Sequence, residues 1–552
     1  MGYPSQDKVL RAFEQAKRLR APKESRFDQA MRYAMPGRGA FFSSDADSEV
    51  DDIFDETAVV ATQEFASRLQ AGITPNFTRW AKLNAGLDID ALDAEQVNAD
   101  LEAVTEFVFD VLNASNFPQE SAEAFMDLAV TLGCLEVEKG TVLEPLRFNA
   151  VPINELYVAN GPFDKLDQFF RMRCYTPDQF EVKYPDHTMP AELMAEWKEK
   201  GDPWDFIDAV QRDWDDPNVE CHYRTLICRQ AGSEIVWKTK YEGTGSCPII
   251  AFRWGKEAGS VWGRGPLMNA MPAIKTCNLV VQMVLENAQM SIAGLYNMDD
   301  DGTVNVDTIE LVPGTIIPRS PGSRGIEAVQ AGGNFNVAGL VLDEQRANIK
   351  RALYNDMLGN PNRTPMSATE VAERMADLSR QIGSAFGRLM GEFIFPLMQR
   401  VVFILKDLGA IKLPVVNGRE VKVVATSPLA RAQDQEDIMN IDRLITFVQK
   451  NFGPQMVNLF IKGEDVTPYV GEKLGTPSRF VRKGAEIQGF AQQVSEMGSQ
   501  IPGLTGEAGI PGLGTNGEGG PSAGSGQAAA AAGPMGGAQG AAAAMPIAAN
   551  AA

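Results

Sequence analysis

The amino-acid sequence predicts an α+β fold in which a β-rich middle is flanked by long helices. Three features carry that reading. Runs rich in β-branched and aromatic residues dominate between Leu135 and Phe252, helical periodicity frames them on both sides, and an apolar helix near 266–292 is followed by a second helix near 336–358. With 552 residues the chain exceeds one simple core, so about two to four compact units are expected. Hydrophobic residues at 44% against 22% charged suffice to bury such cores, which confines disorder to local segments.

Ser5 followed by Leu10, Phe13, Ala16, Leu19 and Met31 gives a capped amphipathic helix ending at Met35-Pro36-Gly37, with Pro22 expected to interrupt it. Residues 45–56 hold Asp45, Asp47, Glu49, Asp51, Asp52, Asp55 and Glu56 and no base, a pattern expected of a solvated loop rather than a metal site. Helical spacing returns from Thr57 to Gly72, and two helical stretches within 97–133 are parted near Asn116-Phe117-Pro118. β-rich runs follow at 143–158, 169–175, 223–228 and 234–240, with a polar helix at 191–200 between them.

After Pro272 the helix at 266–292 carries only Lys275 and Glu286 as charges, and apolar residues occupy nearly all sides. A helix apolar all round is a buried one, and this one is too interrupted by Asn, Gln and Lys for a membrane, so it is expected to sit between neighbours in an assembly. Short β-like runs with turn chemistry fill 294–333, then comes the second helix. Beyond the break at Gly359-Asn360-Pro361-Asn362, Ser367-Ala368-Thr369-Glu370 forms a capping box. It opens a helix through Val371, Met375, Leu378, Ile382, Leu389, Phe393, Leu397, Val401 and Leu408, with a kink expected at Pro396. At ~1.5 Å per residue that helix approaches about 60 Å, a strut suited to an assembly. Another helix is expected over 434–450, helical character fades by 497, and 500–552 collapse into Gly, Ala, Pro and Ser with Glu507 and Glu518 as the only charges. That tail is expected to be disordered.

Charge excludes one function class. A formal net charge of −21 opposes tight, sequence-independent binding to phosphates, although residues 1–38 are locally basic. Six scattered cysteines without a close C-x-x-C pair point to reduced thiols. No apolar run is long enough to span a bilayer, and residues 1–30 lack the apolar centre of a secretory signal.

Catalytic and metal motifs are incomplete. Gly255-Lys256-Glu257 lacks the first glycine and the hydroxyl of a phosphate-binding loop, so the chain is not expected to be an ATPase. Gly520-Pro521-Ser522-Ala523-Gly524 matches a nucleophile pattern but lies in the Gly/Ala tail, without the strand-to-helix turn that pattern needs. Asn297, Asp299, Asp301 and Gly302 imitate a calcium loop, yet Thr308 stands where a bidentate Glu is required. His187 and His222 are the only histidines, so a structural role is expected for His222 beside Cys221. Gly503, Gly506, Gly509 and Gly512 keep a period of three too briefly for collagen. Neither a cofactor nor a catalytic or metal-binding residue is expected.

Tyr33-Ala34-Met35-Pro36, the stretch from Phe65-Ala66-Ser67-Arg68-Leu69 to Trp80, Gly263-Arg264-Gly265-Pro266, and the run from Asn360 to Glu370 with its helix resemble the head-to-tail connecting, or portal, proteins of short-tailed bacteriophages. The likeness spans roughly residues 10–430, and the order of elements carries it. It implies a portal fold and a ring of twelve subunits at one capsid vertex, assembled in the host cytoplasm, through which double-stranded DNA is packaged and ejected. The implied layout is an arm and wing over 1–265, stem helices at 266–292 and 336–358, and a β-rich clip at 293–335. A tunnel loop at 359–366 follows, then a long wing helix and strands at 367–430, a helical crown at 431–499, and the 500–552 tail.

Implied partners are further copies of the chain, the terminase packaging motor, tail adaptors, and capsid and scaffolding proteins. Within the clip, Asp299, Asp301, Ile316, Arg319 and Arg324 are the expected docking residues. Near the inferred channel the basic side chains are Lys350, Arg351 and Arg363; the first two are expected to pair with acids on the adjoining helix or subunit, which leaves Arg363 the better DNA contact. About −250 formal charges over twelve copies would favour a lumen in which DNA slides. The competing readings are another ring-forming virion adaptor or tail protein and, more remotely, a hydrolase acting on DNA.

Overall fold

A computed structural model of the chain describes residues 3–38, 53–84, 91–141, 143–293, 295–298, 326–329, 335–355, 383–413, 422–425, 428–453, 457–461, 466–467 and 469–471. The first element is one helix, α1 (Gln6–Ala34), which runs unbroken through Pro22. Proline costs a helix one hydrogen bond and a steric clash, so continuity needs compensation from outside. Both halves are anchored. Val9, Phe13 and Ala16 lie in one apolar cluster, Phe27, Ala30, Met31 and Ala34 in another, and between them buried Arg20 donates from Nη1 to the carbonyls of Asn154 and Leu156 at 2.8 Å each. Ser5 sits at the N-cap, but its backbone carbonyl rather than its side chain does the capping, accepting from Lys8 and Val9.

Helix α2 (Thr57–Ile73), strand β1 (Ala81–Asn84) and helices α3 (Ala91–Ala114) and α4 (Phe117–Val130) follow, the last pair parted at 115–116 as the sequence indicates. Strands β2 (Leu132–Lys139), β3 (Leu146–Ala150), β4 (Leu156–Asn160) and β5 (Leu166–Tyr175) lead to short helices α5 (Pro177–Lys183) and α6 (Ala191–Lys200). Then come β6 (Trp204–Arg212), β7 (Cys221–Cys228), β8 (Glu234–Glu242), β9 (Ile249–Arg253) and a small ladder of β10 (Gly255–Lys256) with β11 (Gly263–Arg264). Two antiparallel sheets result, of order β3-β2-β9 and β4-β5-β6-β7-β8.

In the larger sheet every residue of β7 is buried, because helices cover both faces. Phe206, Leu226 and Cys228 face Phe180, Tyr184 and Trp197 from the α5–α6 region, while their chain neighbours Ile207 and Ile227 face Val9 and Phe13 of α1. The period of two thus sorts β6 and β7 onto two apolar layers. Charge is buried beside them. Arg224 on β7 meets Asp208 of β6 and Glu136 of β2, both at 2.5 Å, and Arg171 of β5 reaches Glu136 at 2.9 Å, so one ion network joins the two sheets. Burial opposes ionisation of Glu136, but Arg224, Lys183, Arg171 and Arg173 outweigh it and hold the carboxyl well below its ordinary value.

The main core lies between the smaller sheet and helices α2, α4 and α7 (Pro266–Ala293). After α7 come the hairpin of β12 (Leu295–Met298) with β13 (Ile326–Val329), α8 (Phe335–Ala352) and α9 (Gly383–Leu389). A π-helical turn, Met390–Ile394, leads into α10 (Phe395–Asp407). The kink expected at Pro396 takes the form of this turn: Phe395 N–H bonds the carbonyl of Met390, five residues back, and Pro396 then sits in the first turn of α10, where its missing N–H costs little. The widened turn places Phe393 in the core against Phe252 at 4.4 Å and Phe125 at 5.5 Å between ring centroids. Strand β14 (Lys422–Ala425) pairs with β1, and α11 (Pro428–Phe452) and α12 (Val457–Phe460) complete the described chain.

All six cysteines are unpaired thiols. His222 is buried and its Nδ1 lies 2.8 Å from Ser246 Oγ; burial, with Arg212 and Arg400 nearby, pushes its pKa down to about 3, so it is a neutral structural side chain. No helix among the described residues is long and apolar enough to cross a membrane, and among them no cluster of three His, Cys, Asp or Glu is placed to hold a metal ion. The capping box at 367–370, most of the acidic run, the calcium-like positions from 299 onward and the 500–552 tail lie outside the described residues.

Candidate assembly and channel surfaces

Helix α7 begins where backbone meets backbone. A Cβ on Gly265 would stand 2.0 Å from the carbonyl oxygen of Ala129 at the end of α4, so only glycine fits the third position of Gly263-Arg264-Gly265-Pro266, and Pro266 then starts the helix. The first half of α7 is core: Leu267, Ala270, Ile274 and Cys277 are buried. Helix α8 packs along α7 and returns to the same core through Ile349 and Leu353.

A polar latch marks the boundary of this buried base. Asn278 Oδ1 accepts from Phe54 N–H at 2.7 Å, and Arg346 of α8 contacts Asp55 at 2.7 Å. Burial opposes ionisation of Asp55, but hydrogen bonds from Thr57 and Arg346 outweigh it and keep its carboxyl below the ordinary value. The solvated-loop reading of 45–56 is therefore wrong at Asp55, which is 7% exposed. The cause is tertiary: its partner arginine lies 291 residues away. Arg68 and Asn355 extend the latch, the first donating to the Asn355 carbonyl and the second to the Ala61 carbonyl at 2.9 Å.

Beyond Asn278 the helix changes character. No side chain from 279 to 289 is buried, and Leu279, Met283 and Leu285 are each about half exposed. Leu279 and Met283, one helical turn apart, share the face opposite the buried base. Within the single chain, among the described side chains, only the first half of α7 is enclosed, which leaves the rest for the neighbours that the sequence reading expects. Leu340 on α8, 73% exposed, adds to the uncovered apolar surface.

Lys350 and Arg351 occupy the exposed last turn of α8, where cations suit the helix dipole. Among the described residues the only side-chain hydrogen bond of either is a long one, Arg351 Nη1 to Asn348 Oδ1 at 3.5 Å. Among the described residues neither pairs with an acid of the adjoining helix, where Glu286 of α7 accepts from Gln282 at 3.0 Å, and the expected alternative, an acid of an adjoining subunit, lies beyond the single chain. Arg363 and the clip positions Asp299, Asp301, Ile316, Arg319 and Arg324 lie outside the described residues. Sequence reasoning passed over Asn278, Arg346 and Asn355, whose polar identities carry no signal until the fold brings their partners near.

The model of the bacteriophage head to tail connecting protein family matches residues 6–481. The chain belongs to this family. The resemblance read from Tyr33-Ala34-Met35-Pro36 and Gly263-Arg264-Gly265-Pro266 is borne out, over a longer span than 10–430. Among individual relatives of this head-to-tail connecting protein, the portal protein of Salmonella phage epsilon15 is 24% identical over 522 residues, covering 89% of this chain and 92% of that one. A probable portal protein of Bordetella phage BPP-1 is 21% identical over 457 residues, covering 77% and 80%. Among solved structures, a chain from the virion of a native gene transfer agent particle aligns over 82% of this chain and 93% of its own, with 11% identity and a TM-score of 0.34.

Proposed function

We propose that this chain is the portal subunit of a tailed bacteriophage, a structural, non-catalytic protein that forms a ring at one capsid vertex. DNA enters the head through that ring during packaging and leaves through it at ejection. The observation that carries the reading is similarity to portal proteins over nearly the whole chain, with family membership spanning 6–481. The hairpin of α7 and α8 supports it: a helix enclosed by its own chain at one end and apolar but uncovered at the other calls for neighbouring copies.

In this reading the ring has twelve subunits. Helices α7 and α8 form the stem, 293–335 the clip that meets the terminase motor and later the tail adaptors, 359–366 the tunnel loop, 431–499 the crown, and 1–265 with 367–430 the arm and wing, followed by the 500–552 tail. Asp299, Asp301, Ile316, Arg319 and Arg324 act at the clip; Lys350, Arg351 and Arg363 face the channel. Capsid and scaffolding proteins contact the outside of the ring. Cryo-electron microscopy and native mass measurement of the purified full-length chain test the proposal, with a closed twelve-membered ring and an axial channel as the expected result. A chain that stays monomeric or forms open filaments at all concentrations overturns it. Arg363→Ala is expected to assemble normally yet lower DNA retention in filled heads, because mobile ion pairs worth ~0–1 kcal/mol each steady DNA without halting it. Normal retention would remove Arg363 from the channel mechanism.

A further inference from the structure

Five arginines are buried among the described residues: Arg20, Arg171, Arg224, Arg253 and Arg400. Four have carboxylate partners, Arg20 with Glu24, Arg171 with Glu136 and Glu155, Arg224 with Asp208, Glu136 and Glu138, and Arg253 with Glu392. Arg400, on α10 and 3% exposed, has no carboxylate partner among the described residues. It donates only to backbone carbonyls, from Nε to Val137 at 3.2 Å and from Nη1 to Gly245 at 3.3 Å and Ser246 at 3.2 Å. The rings of Tyr241 and Phe403 lie 5.1 and 5.3 Å from the guanidinium carbon.

The setting is built for this side chain. Gly245 has φ +81° and sits so close to α10 that a Cβ would meet the Gln399 carbonyl oxygen at 2.3 Å. That approach brings the Gly245 and Ser246 carbonyls onto Arg400, and Ser246 is itself fixed by His222. Arg400 also forms part of the wall of a cavity of about 770 Å³ that includes Lys139, Arg147, Lys183, Lys240, Trp237 and Tyr241. Its acids are already engaged: Asp407 with Lys139 at 2.6 Å, Glu138 with Arg224 and Lys183, and Glu242 with Lys240 at 2.6 Å. Arg400, and exposed Arg147 at the rim, are left without a carboxylate there. A buried cation lacking a counter-ion is costly, and an oxyanion meeting the planar guanidinium forms charge-assisted hydrogen bonds that offset the cost.

We propose that this cavity is an oxyanion site, in which Arg400 receives a phosphate or carboxylate group within walls that include Trp237 and Tyr241. The group comes either from a free small anion or from an acidic side chain of a neighbouring copy. The site is complete within one chain, so it stands whether or not the ring reading does.

The test measures inorganic phosphate and succinate binding to the full-length chain, before and after assembly, against chloride at equal ionic strength. Tryptophan fluorescence and thermal unfolding are the readouts. Saturable binding to the unassembled chain is expected, with a fluorescence change abolished in Trp237→Phe. Arg400→Lys keeps the charge but not the planar fork and is expected to weaken binding at least tenfold. Should Arg400→Lys not fold, Arg147→Gln at the exposed rim supplies the second variant, with an expected loss of several-fold. Binding that persists after assembly identifies a free anion as the occupant, and binding lost on assembly identifies the neighbour's carboxylate. A response no different from chloride in the unassembled chain overturns the proposal, as does saturable binding unchanged by both Arg400→Lys and Arg147→Gln.

Discussion

The uncovered face of α7 makes a quantitative statement about assembly. Fully burying a leucine or methionine side chain is worth ~1.5–3 kcal/mol. Leu279 is 51% and Met283 56% exposed in the single chain, so about half of each is open to a neighbour in the proposed ring. Covering them therefore contributes about 1 kcal/mol per side chain, or about 2 kcal/mol per subunit contact. The double substitution Leu279→Ala with Met283→Ala removes most of that and should raise the concentration at which rings form by about thirtyfold, since ~1.4 kcal/mol is a factor of ten. Analytical ultracentrifugation across a dilution series reads this directly. Neither side chain belongs to a core cluster, so circular dichroism and the melting of the unassembled variant should match the parent. A ring-forming concentration within threefold of the parent would refute the assignment of this face to the subunit contact.

Other consequences concern the buried charges. Glu136→Gln leaves Arg171 and Arg224 short of their shared anion and should destabilise the sheets by about 3–5 kcal/mol, read by denaturant unfolding; a loss under 1 kcal/mol would count against the network. His222, held neutral with a pKa of about 3 against 6.5 unfolded, contributes stability that is full above about pH 6.5 and is lost as pH falls toward 3. His222→Gln should therefore flatten the acid side of the stability profile by up to about 1.4 kcal/mol per pH unit, and parallel profiles would contradict this. Asp55→Asn loosens the latch under α8, at a cost of ~1–3 kcal/mol, with faster hydrogen exchange at the Phe54 and Thr57 amides as its signature. Unchanged exchange at both amides would show that the latch is dispensable.

What could be read in advance follows the range of the interactions. Periodicity and turn chemistry are local, and they located α4, α6 and α7 and strands β5, β7 and β8. Strand β6 did not stand out because Trp204–Arg212 carries Asp205 and Asp208, and an acid within a strand reads as a solvent position. Asp208 is buried because Arg224, 16 residues on, neutralises it. Pro22 misled for the same reason: a local rule against proline lost to contacts with Ile153, Asn154 and Leu156, more than 130 residues away. Arg400 gave no advance signal at all, since its partners are backbone carbonyls at 137, 245 and 246, which any residue type supplies.

Helix α7 shows most clearly where the packing of one chain ends. Its apolar pattern continues without change from Leu267 to Leu285, so pattern alone assigns burial to the whole length. The fold encloses the helix only as far as Asn278, where the latch to Phe54 and Asp55 ends the chain's own core. If the fold of one chain were the only purpose of that pattern, polar residues at 279, 283 and 285 would serve as well and would improve solubility. Apolar residues there have a physical use only when something else excludes the water. Surface on opposite sides of one helix suits a heterologous contact repeated around an axis better than a twofold dimer, in which a single patch meets itself. The same 28 residues thus serve as core at one end and leave apolar surface uncovered at the other, which is what the proposed ring would require.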